Sequence, residues 1–281
     1  MFKKNVFLFF LLISVEFSFS QNGIDITNQM FEKTKAVKSL SFYIVAKERF
    51  GAEYKLQKAF FKKQTNPVRI YYKQLLPATG AEVLINSTYN KKALVNPNAF
   101  PWTNLTLDPY GKTLRDAQHH NIYEAGFEYL TEMLSYLTNK YKDNIGNVVS
   151  YKGTVDWQGA SCFKIEFTNP NFKIYSYKVT ETCTPSSLAK KLYICDYLIL
   201  ERNPKFKEYL DVIKAGTVLS LPNDYAKRLV ILINKSSYLP VYMEIYDDKG
   251  LLEQYQFLEI NTSPGFTEID FSEKNETYGF K

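Results

Sequence analysis

The amino-acid sequence predicts an α+β protein in which a curved antiparallel sheet wraps around helices. Three observations support this fold class. Most of the chain alternates apolar or aromatic residues with polar ones between short turns, which is typical of hairpin strands. Two stretches instead repeat apolar residues every three to four positions, which is typical of amphipathic helices. Residues 177–222 follow a third pattern and predict a small insert.

The composition favours a chain that folds without a metal or disulfide framework. The 281 residues are 45% hydrophobic and 23% charged, which excludes a disordered tail and favours one large domain carrying a smaller insert. The 35 Lys and Arg residues are interspersed with 29 Asp and Glu residues, giving a net charge of +6. Since the positive charges form no run, the sequence predicts no nucleic-acid partner.

The first twenty residues carry the features of a signal peptide. Lys3 and Lys4 precede an apolar stretch from Val6 to Val15, and small residues follow at Ser18 and Ser20. The apolar stretch has about 10 residues, roughly half of what a bilayer crossing needs. We therefore expect cleavage after residue 20 and a periplasmic or secreted protein that does not span a membrane.

The first half of the body should begin with a helix and continue as a sheet. From Asp25 to Val37 apolar residues repeat at helical spacing, and Asp25 or Thr27 can cap the first turn. β-Branched and aromatic residues with short polar breaks then predict strands at 41–50, 54–63, 68–76, 81–85 and 91–95.

A second helix separates these strands from the later ones. Prolines between Pro97 and Gln118 predict loops. The next stretch, Ile122 to Tyr141, predicts a helix whose apolar stripe packs on the curved sheet. Alternation predicts the remaining strands at 148–157, 161–167, 172–179, 226–233, 239–246 and 251–261.

The predicted insert carries signature residues at fixed spacing. They are the YxV pair Tyr177 and Val179, then Leu188-Ala189 and Asn203-Pro204, and a closing GxxLxLP formed by Gly216, Leu219, Leu221 and Pro222. In type and spacing these residues resemble a LysM repeat. The resemblance implies a strand-helix-helix-strand module that binds N-acetylglucosamine glycans such as peptidoglycan.

The same resemblance implies a glycan groove between two loops of the insert. The first loop holds Thr182, Cys183 and Thr184, and the second reaches from Phe206 to Ala215. We take these five named residues as the candidate glycan-binding set. The Gly-Asp pair usual in the first loop of LysM repeats is missing, so a degenerate module kept for packing or protein contact remains an alternative.

The body has a resemblance of its own. The stretches TGAEVLINSTYNKKALVNPNAFPWTNLTLDPYGKTLRDAQHH and PNDYAKRLVILINKSSYLPVYMEIYDDKGLLEQYQF resemble the family of domain of unknown function 1571, whose members are exported proteins without an assigned activity. The expected body, residues 21–176 and 223–281, is in turn similar to the LolA-like half-barrel of periplasmic lipoprotein carriers. This likeness implies a lipid or lipoprotein acyl chain held between sheet and helices.

Aromatic residues are numerous enough to line such a cavity. The chain has 22 Tyr, 21 Phe and 2 Trp. An ordinary sheet core is the alternative for each of them. Those that alternate on expected strands are Phe42, Tyr43, Phe60, Phe61, Tyr71, Tyr72, Trp157, Phe163 and Phe167.

Catalytic chemistry has few candidates in this sequence. His119 and His120 are the two residues able to act as a base near neutral pH, which leaves an envelope hydrolase or transferase as the alternative function. Adjacent side chains on an extended strand point to opposite faces, so at most one histidine should serve one site unless the chain bends. Asp247 and Asp248 precede Lys-Gly and predict a hairpin turn. We therefore expect a non-enzymatic binding or carrier protein without a cofactor.

The cysteines leave two alternatives open. Cys183 and Cys195 are the candidate disulfide in an exported protein, whereas three buried thiols, including Cys162, are the other possibility. The sequence predicts no metal site, because it has no CxxC pair and its two histidines are adjacent.

Overall fold

The computed structural model describes residues 23–88 and 92–281. The expected signal peptide, residues 1–20, lies outside the described residues. Helix α1 spans residues 23–36. The other helices are α2 Lys112–Arg115, α3 Glu128–Lys140, α4 Ile145–Val148, α5 Pro185–Leu192 and α6 Asp196–Arg202. The strands are β1 Ser39–Phe50, β2 Glu53–Thr65, β3 Val68–Leu76, β4 Glu82–Asn86, β5 Ala93–Asn96, β6 Leu105–Leu107, β7 Val149–Trp157, β8 Ala160–Thr168, β9 Ile174–Lys178, β10 Val218–Pro222, β11 Arg228–Asn234, β12 Pro240–Asp247 and β13 Gly250–Asn261.

Eleven of these strands form one open, curved antiparallel sheet. Their order is β6-β5-β4-β3-β2-β1-β13-β12-β11-β8-β7, so neighbours along the chain are mostly neighbours in the sheet. There are two exceptions. β1 pairs with β2 on one side and with the last strand, β13, on the other, and β11 pairs with β8. The α+β fold class with a curved antiparallel sheet is confirmed.

Helices α1 and α3 pack against one face of the sheet. Met30 of α1, Leu134 of α3 and Phe42 of β1 are completely buried there. A hydrogen bond of 2.8 Å between the hydroxyl groups of Thr131 and Thr34 joins the two helices. The apolar stripe expected on the second helix is therefore buried where the sequence placed it.

Helix α3 begins later than the periodicity suggests. Residues Ile122–Glu124 form a short 3-10 turn instead, and the Asn121 side chain caps it by accepting a hydrogen bond from the backbone of Tyr123 at 3.0 Å. Gly126 follows with a φ of 98°, a left-handed conformation that interrupts the helix. The polypeptide therefore bends twice between the histidine pair and α3.

The C-terminal residues cover the opposite face of the sheet. Phe271, at the end of a 3-10 helix, is buried against Tyr71 and Leu84. The ring of Tyr71 stacks on that of Tyr278 with centroids 3.7 Å apart. Tyr71 thus points away from α3, and the aromatic residues of the strands are divided among several clusters, with Trp157 and Tyr242 in another.

Residues 177–222 contain elements separate from the large sheet. Strand β9 pairs with β10 in a two-stranded sheet, and α5 and α6 lie between them in the chain. Leu188, Ile199 and Leu219 form a small core of their own. Leu198 of α6 instead belongs to the main core, so α6 is shared between the two. The LysM assignment of this segment stays a prediction.

Buried ion pairs join this segment to the body. Asp247 accepts two hydrogen bonds from Arg49, at 2.6 and 3.0 Å, and a third from Arg202 of α6 at 3.3 Å. The Asp247 side chain is fully buried. The chain does turn between Asp247 and Gly250, as expected, but Asp247 also anchors α6 to the sheet.

The prediction of a disulfide between Cys183 and Cys195 is wrong. Cys162, Cys183 and Cys195 are free thiols. Cys183 pairs through its backbone with Ile213, whereas the Cys195 thiol points out of the insert and donates to Glu253 of β13 at 3.4 Å. The Cys183 side chain packs against the small core of residues 177–222 and Cys195 belongs to the main core, so the two side chains lie in different cores. No helix in the described ranges has both the length and the hydrophobicity needed to cross a bilayer.

Candidate functional site

A cavity of about 90 Å³ lies between the concave face of the sheet and α3. Strands β1, β2, β3, β12 and β13 form its floor, and α3 forms its roof. The space exists because the side chains of Ala46 and Ala59 are smaller than those of their neighbours on the same face of the sheet. The apolar residues that line it include Ile44, Ala46, Ala59, Phe61, Ile122, Ala125, Leu130, Met133, Met243, Ile245 and Phe257.

Polar side chains gather at one end of this cavity around His120. The imidazole Nδ1 lies 2.9 Å from a carboxylate oxygen of Glu124, and Nε2 lies 3.1 Å from the Tyr225 hydroxyl and 3.4 Å from Glu253. Burial alone would lower the pKa of His120, but the charges of Glu253 and Glu124 and the hydrogen bonds to them raise it well above its ordinary value. His120 therefore carries a positive charge at neutral pH.

A second cavity of about 430 Å³ adjoins the first. It lies between α3 and α5, and its walls are more polar, with Glu128 and Glu132 on one side and Thr184 and Lys190 on the other. The two cavities share the lining residues His120, Asn121, Glu124, Tyr129 and Met133. We call the two adjoining cavities the cleft, with the apolar cavity as its inner part and the more polar cavity as its outer part.

Glu253 is the centre of a buried polar cluster beside the cleft. Its side chain is completely buried, and its oxygens face His119 Nδ1 at 2.9 Å, the Tyr225 hydroxyl at 3.1 Å and the Cys195 thiol at 3.4 Å. Burial alone would raise the pKa of Glu253, but the charge of His120 and the hydrogen bonds from the two histidines hold it well below its usual range. Glu253 therefore stays a carboxylate inside the core.

The two histidines meet at this one carboxylate. The expectation that only one could serve a site applied to an extended chain, and residues 119 and 120 instead lie in a bend. His119 is completely buried, with Nε2 2.8 Å from the backbone oxygen of Arg49. His120 reaches the cleft, and 20% of its side chain is exposed. The histidine that contacts the cavities is therefore His120.

The candidate glycan-binding residues are placed in three different settings. The Thr182 hydroxyl accepts a hydrogen bond from the backbone N–H of Ala215, so the two loops do meet there. Cys183 is fixed by its backbone bridge to the second loop. Thr184 caps α5 and lines the polar cavity, whereas Phe206 lines another cavity on the far side of α6. A groove formed by all five residues stays a prediction.

Sequence reasoning identified some lining residues and missed the charged ones. Phe61 and Tyr72 line the cavity as expected, whereas Phe42 and Phe167 are buried in the core. Glu253 was missed, although it shares the inward-facing parity of the later residues of β13. A charged residue at an apolar parity position was the signal that could have found it.

The comparisons with known proteins begin with the family. A family model described as "Protein of unknown function (DUF1571)" matches residues 37–187, more than half of the chain. The chain belongs to the DUF1571 family. The match confirms the family resemblance found in the body. It runs from the end of α1 into α5 and covers the histidine pair, whereas β11 to β13 lie beyond it. No curated protein matches the chain.

Solved structures with a similar arrangement share little sequence with this chain. MucB is 13% identical with a TM-score of 0.43, and the match covers 90% of this chain but only 62% of MucB. Lipoprotein LppX of Mycobacterium tuberculosis is 15% identical with a TM-score of 0.40, over 86% of this chain and 96% of LppX. A LolA superfamily protein from Nitrosomonas europaea is 9% identical with a TM-score of 0.34, over 89% and 97% of the two chains. At these scores the likeness carries no argument about ligands or partners.

Proposed function

We propose that this protein is a non-enzymatic, exported envelope protein that holds a lipid or a lipoprotein acyl chain between its sheet and α3. The observation that carries the proposal is the division of the cleft. Its inner part is walled by apolar side chains, and the charged groups stand at one end, around His120 and Glu124. Ligand pockets of this kind combine apolar walls with a few polar groups that orient the ligand.

The cleft favours an amphiphilic ligand. Each methylene group moved from water into the apolar part contributes about 0.8 kcal/mol, so even a short part of an acyl chain gains affinity there. The wider outer part adds room for a polar head group beside Glu128 and Glu132. A ligand with an apolar tail and a polar end fits this arrangement, and a uniformly polar metabolite does not.

The histidine contacts do not favour the alternative of a hydrolase or transferase. His119 is completely buried and its ring nitrogens are engaged by Arg49 and Glu253. The raised pKa of His120 keeps it protonated, and a general base must be unprotonated to accept a proton. Neither histidine is therefore poised to activate a nucleophile.

The test uses cavity filling. Ala59→Leu adds three carbon atoms inside the cavity, and Lys58→Leu adds the same side chain on the opposite face of β2. Binding of a fluorescent fatty-acid probe should weaken at least about tenfold in Ala59→Leu, because its site is occupied, and should be unchanged in Lys58→Leu. No probe binding by the wild type, or equal binding by both variants, would refute the proposal.

Glycan binding through residues 177–222 is the second candidate function. It is supported by the outer cavity, where Tyr110, Tyr193 and Leu210 lie near the carboxylates of Glu128 and Glu132. Aromatic rings beside hydrogen-bonding groups suit a sugar, which has apolar faces and a rim of hydroxyl groups.

Retention on purified peptidoglycan sacculi tests this second candidate. Tyr193→Ala should reduce retention, whereas Tyr54→Ala, at an exposed position on β2, should not. If the wild-type protein does not sediment with sacculi, the glycan function is excluded while the acyl-chain function is unaffected.

A further inference from the structure

We propose that His119, Cys195 and Glu253 form a binding site for a zinc ion. The ligand atoms are His119 Nδ1, the Cys195 sulfur and a Glu253 carboxylate oxygen, and all lie within 4.8 Å of one another. Each of the three residues is at most 1% exposed. Nitrogen, sulfur and carboxylate oxygen are the donor atoms that zinc binds in proteins.

The three ligands come from distant parts of the chain. His119 lies in the bend before α3, Cys195 directly precedes α6, and Glu253 is in β13. This convergence explains why the sequence predicts no metal site, since short ligand spacings such as CxxC are absent. It also means that a bound ion would join the sheet, the histidine loop and the insert at one point.

The surroundings of the ligands match those of metal-binding residues. A metal-bound histidine usually donates its other ring N–H to a carbonyl or carboxylate, which fixes the ring and its tautomer. His119 does so through Nε2, 2.8 Å from the backbone oxygen of Arg49, and Nδ1 then faces the other two ligands. The second oxygen of Glu253 is held by the Tyr225 hydroxyl at 3.1 Å.

The ligand atoms lie close enough together to converge on one ion. Zinc–ligand bonds of about 2.0–2.3 Å in a tetrahedron separate the ligand atoms by roughly 3.3–3.7 Å. The Glu253 oxygen is 2.9 Å from His119 Nδ1 and 3.4 Å from the Cys195 sulfur. These two pairs reach the tetrahedral spacing by an outward shift of a few tenths of an ångström, and the third pair, His119 Nδ1 and the Cys195 sulfur, lies within 4.8 Å and closes onto the ion. Three protein ligands leave a fourth position for water or a ligand atom.

The charge balance of the buried cluster also allows zinc. As zinc ligands, the three residues are a thiolate at Cys195, a neutral imidazole at His119 and a carboxylate at Glu253. The two negative charges of the thiolate and the carboxylate balance the two positive charges of the ion. The core therefore incurs no uncompensated charge on metal binding. A thiolate ligand favours zinc over magnesium or calcium.

Because the ligands are buried, the experiment loads zinc during refolding. The denatured protein is refolded with and without Zn²⁺, desalted, and analysed for metal content by mass spectrometry. We expect one zinc ion per chain, and at least about a tenfold loss of affinity in competition with a chelating dye for Cys195→Ser or Glu253→Gln. Cys162→Ser is the matched control, because Cys162 is also a fully buried thiol but belongs to another cluster.

Cobalt provides a second measurement on the wild-type protein. Refolding with Co²⁺ should produce a thiolate-to-cobalt charge-transfer band that Cys162→Ser retains and Cys195→Ser loses. If the Cys195 variant fails to fold, the wild-type metal content and this band still decide the question. Wild-type protein that retains no stoichiometric zinc and shows no such band, or ligand variants that bind zinc as tightly as the wild type, would overturn the proposal.

Discussion

A buried guanidinium, that of Arg115, should contribute strongly to the attachment of residues 177–222 to the body, beside the Arg202–Asp247 contact. Its side chain is 1% exposed and forms two hydrogen bonds with Asp196, at 2.8 and 3.0 Å. It also donates to the backbone oxygen of His119 and lies 3.4 Å from the centre of the Tyr209 ring. The loop before α3 and the start of α6 thus share this one cation.

Arg115→Ala removes the partner of a carboxylate that is itself only 13% exposed. Breaking a buried pair in this way costs about 3–5 kcal/mol, mostly because the remaining charge stays buried without compensation. Urea unfolding followed by circular dichroism measures the loss. The double variant Arg115→Met with Asp196→Leu should recover most of it, because it leaves no charge behind.

The control is the exposed pair next to it. Lys112 and Glu208 are 3.5 Å apart, and their side chains are 61% and 48% exposed. Lys112→Ala should therefore change the unfolding free energy by at most about 1 kcal/mol. If Arg115→Ala destabilises the protein no more than Lys112→Ala does, the insert is not held by this ion pair.

Three further predictions concern pH, helix capping and the core. Because the pKa of His120 is raised well above its ordinary value, chiefly by Glu253 against the effect of burial, its stabilising contribution is complete below about pH 6.5. Above that pH the unfolding free energy should decline by up to about 1.4 kcal/mol per pH unit. Denaturation of His120→Gln at several pH values should show that this decline is lost. If the variant keeps the same decline, His120 is not its cause. Thr184→Ala removes the N-cap of α5 and should cost about 1 kcal/mol in urea unfolding, with Thr184→Ser close to wild type; equal losses in both variants exclude the cap. Phe42→Ala, which removes a fully buried ring stacked 5.2 Å from that of Phe61, should cost about 3–5 kcal/mol by the same measurement, and a loss below about 1 kcal/mol argues against this packing.

The strands of the body could be predicted because their signal is local. Alternation within a few residues is enough to place β3 at residues 68–76, as the sequence indicated. The start of α3 could not be placed this way. Apolar spacing continues through Ile122, but the Asn121 side chain and Gly126 favour a 3-10 turn and a bend there. A side-chain cap overrides periodicity, and periodicity carries no information about it.

The candidate site depends on tertiary contacts that spacing does not reveal. Cys183 and Cys195 are close in sequence, which suggested a disulfide, but the Cys195 thiol is directed toward Glu253 in the body. Arg49 and Asp247 are 198 residues apart and become partners only when β1 reaches the β12–β13 hairpin. The composition could suggest an apolar cavity, whereas the polar groups beside it could be identified only from the three-dimensional structure.

Glu253 connects the two proposals through different atoms. One of its oxygens faces His119 and Cys195, where zinc would bind, and the other faces His120 and Tyr225 at the polar end of the cleft. Glu253 remains a carboxylate in either state, because a zinc ligand is ionised and because, without zinc, the charge of His120 and the histidine hydrogen bonds lower the pKa of Glu253 against the effect of burial. The cleft therefore does not need the metal in order to keep its polar end. The zinc and acyl-chain measurements address separate properties of the protein, and failure of one leaves the other standing.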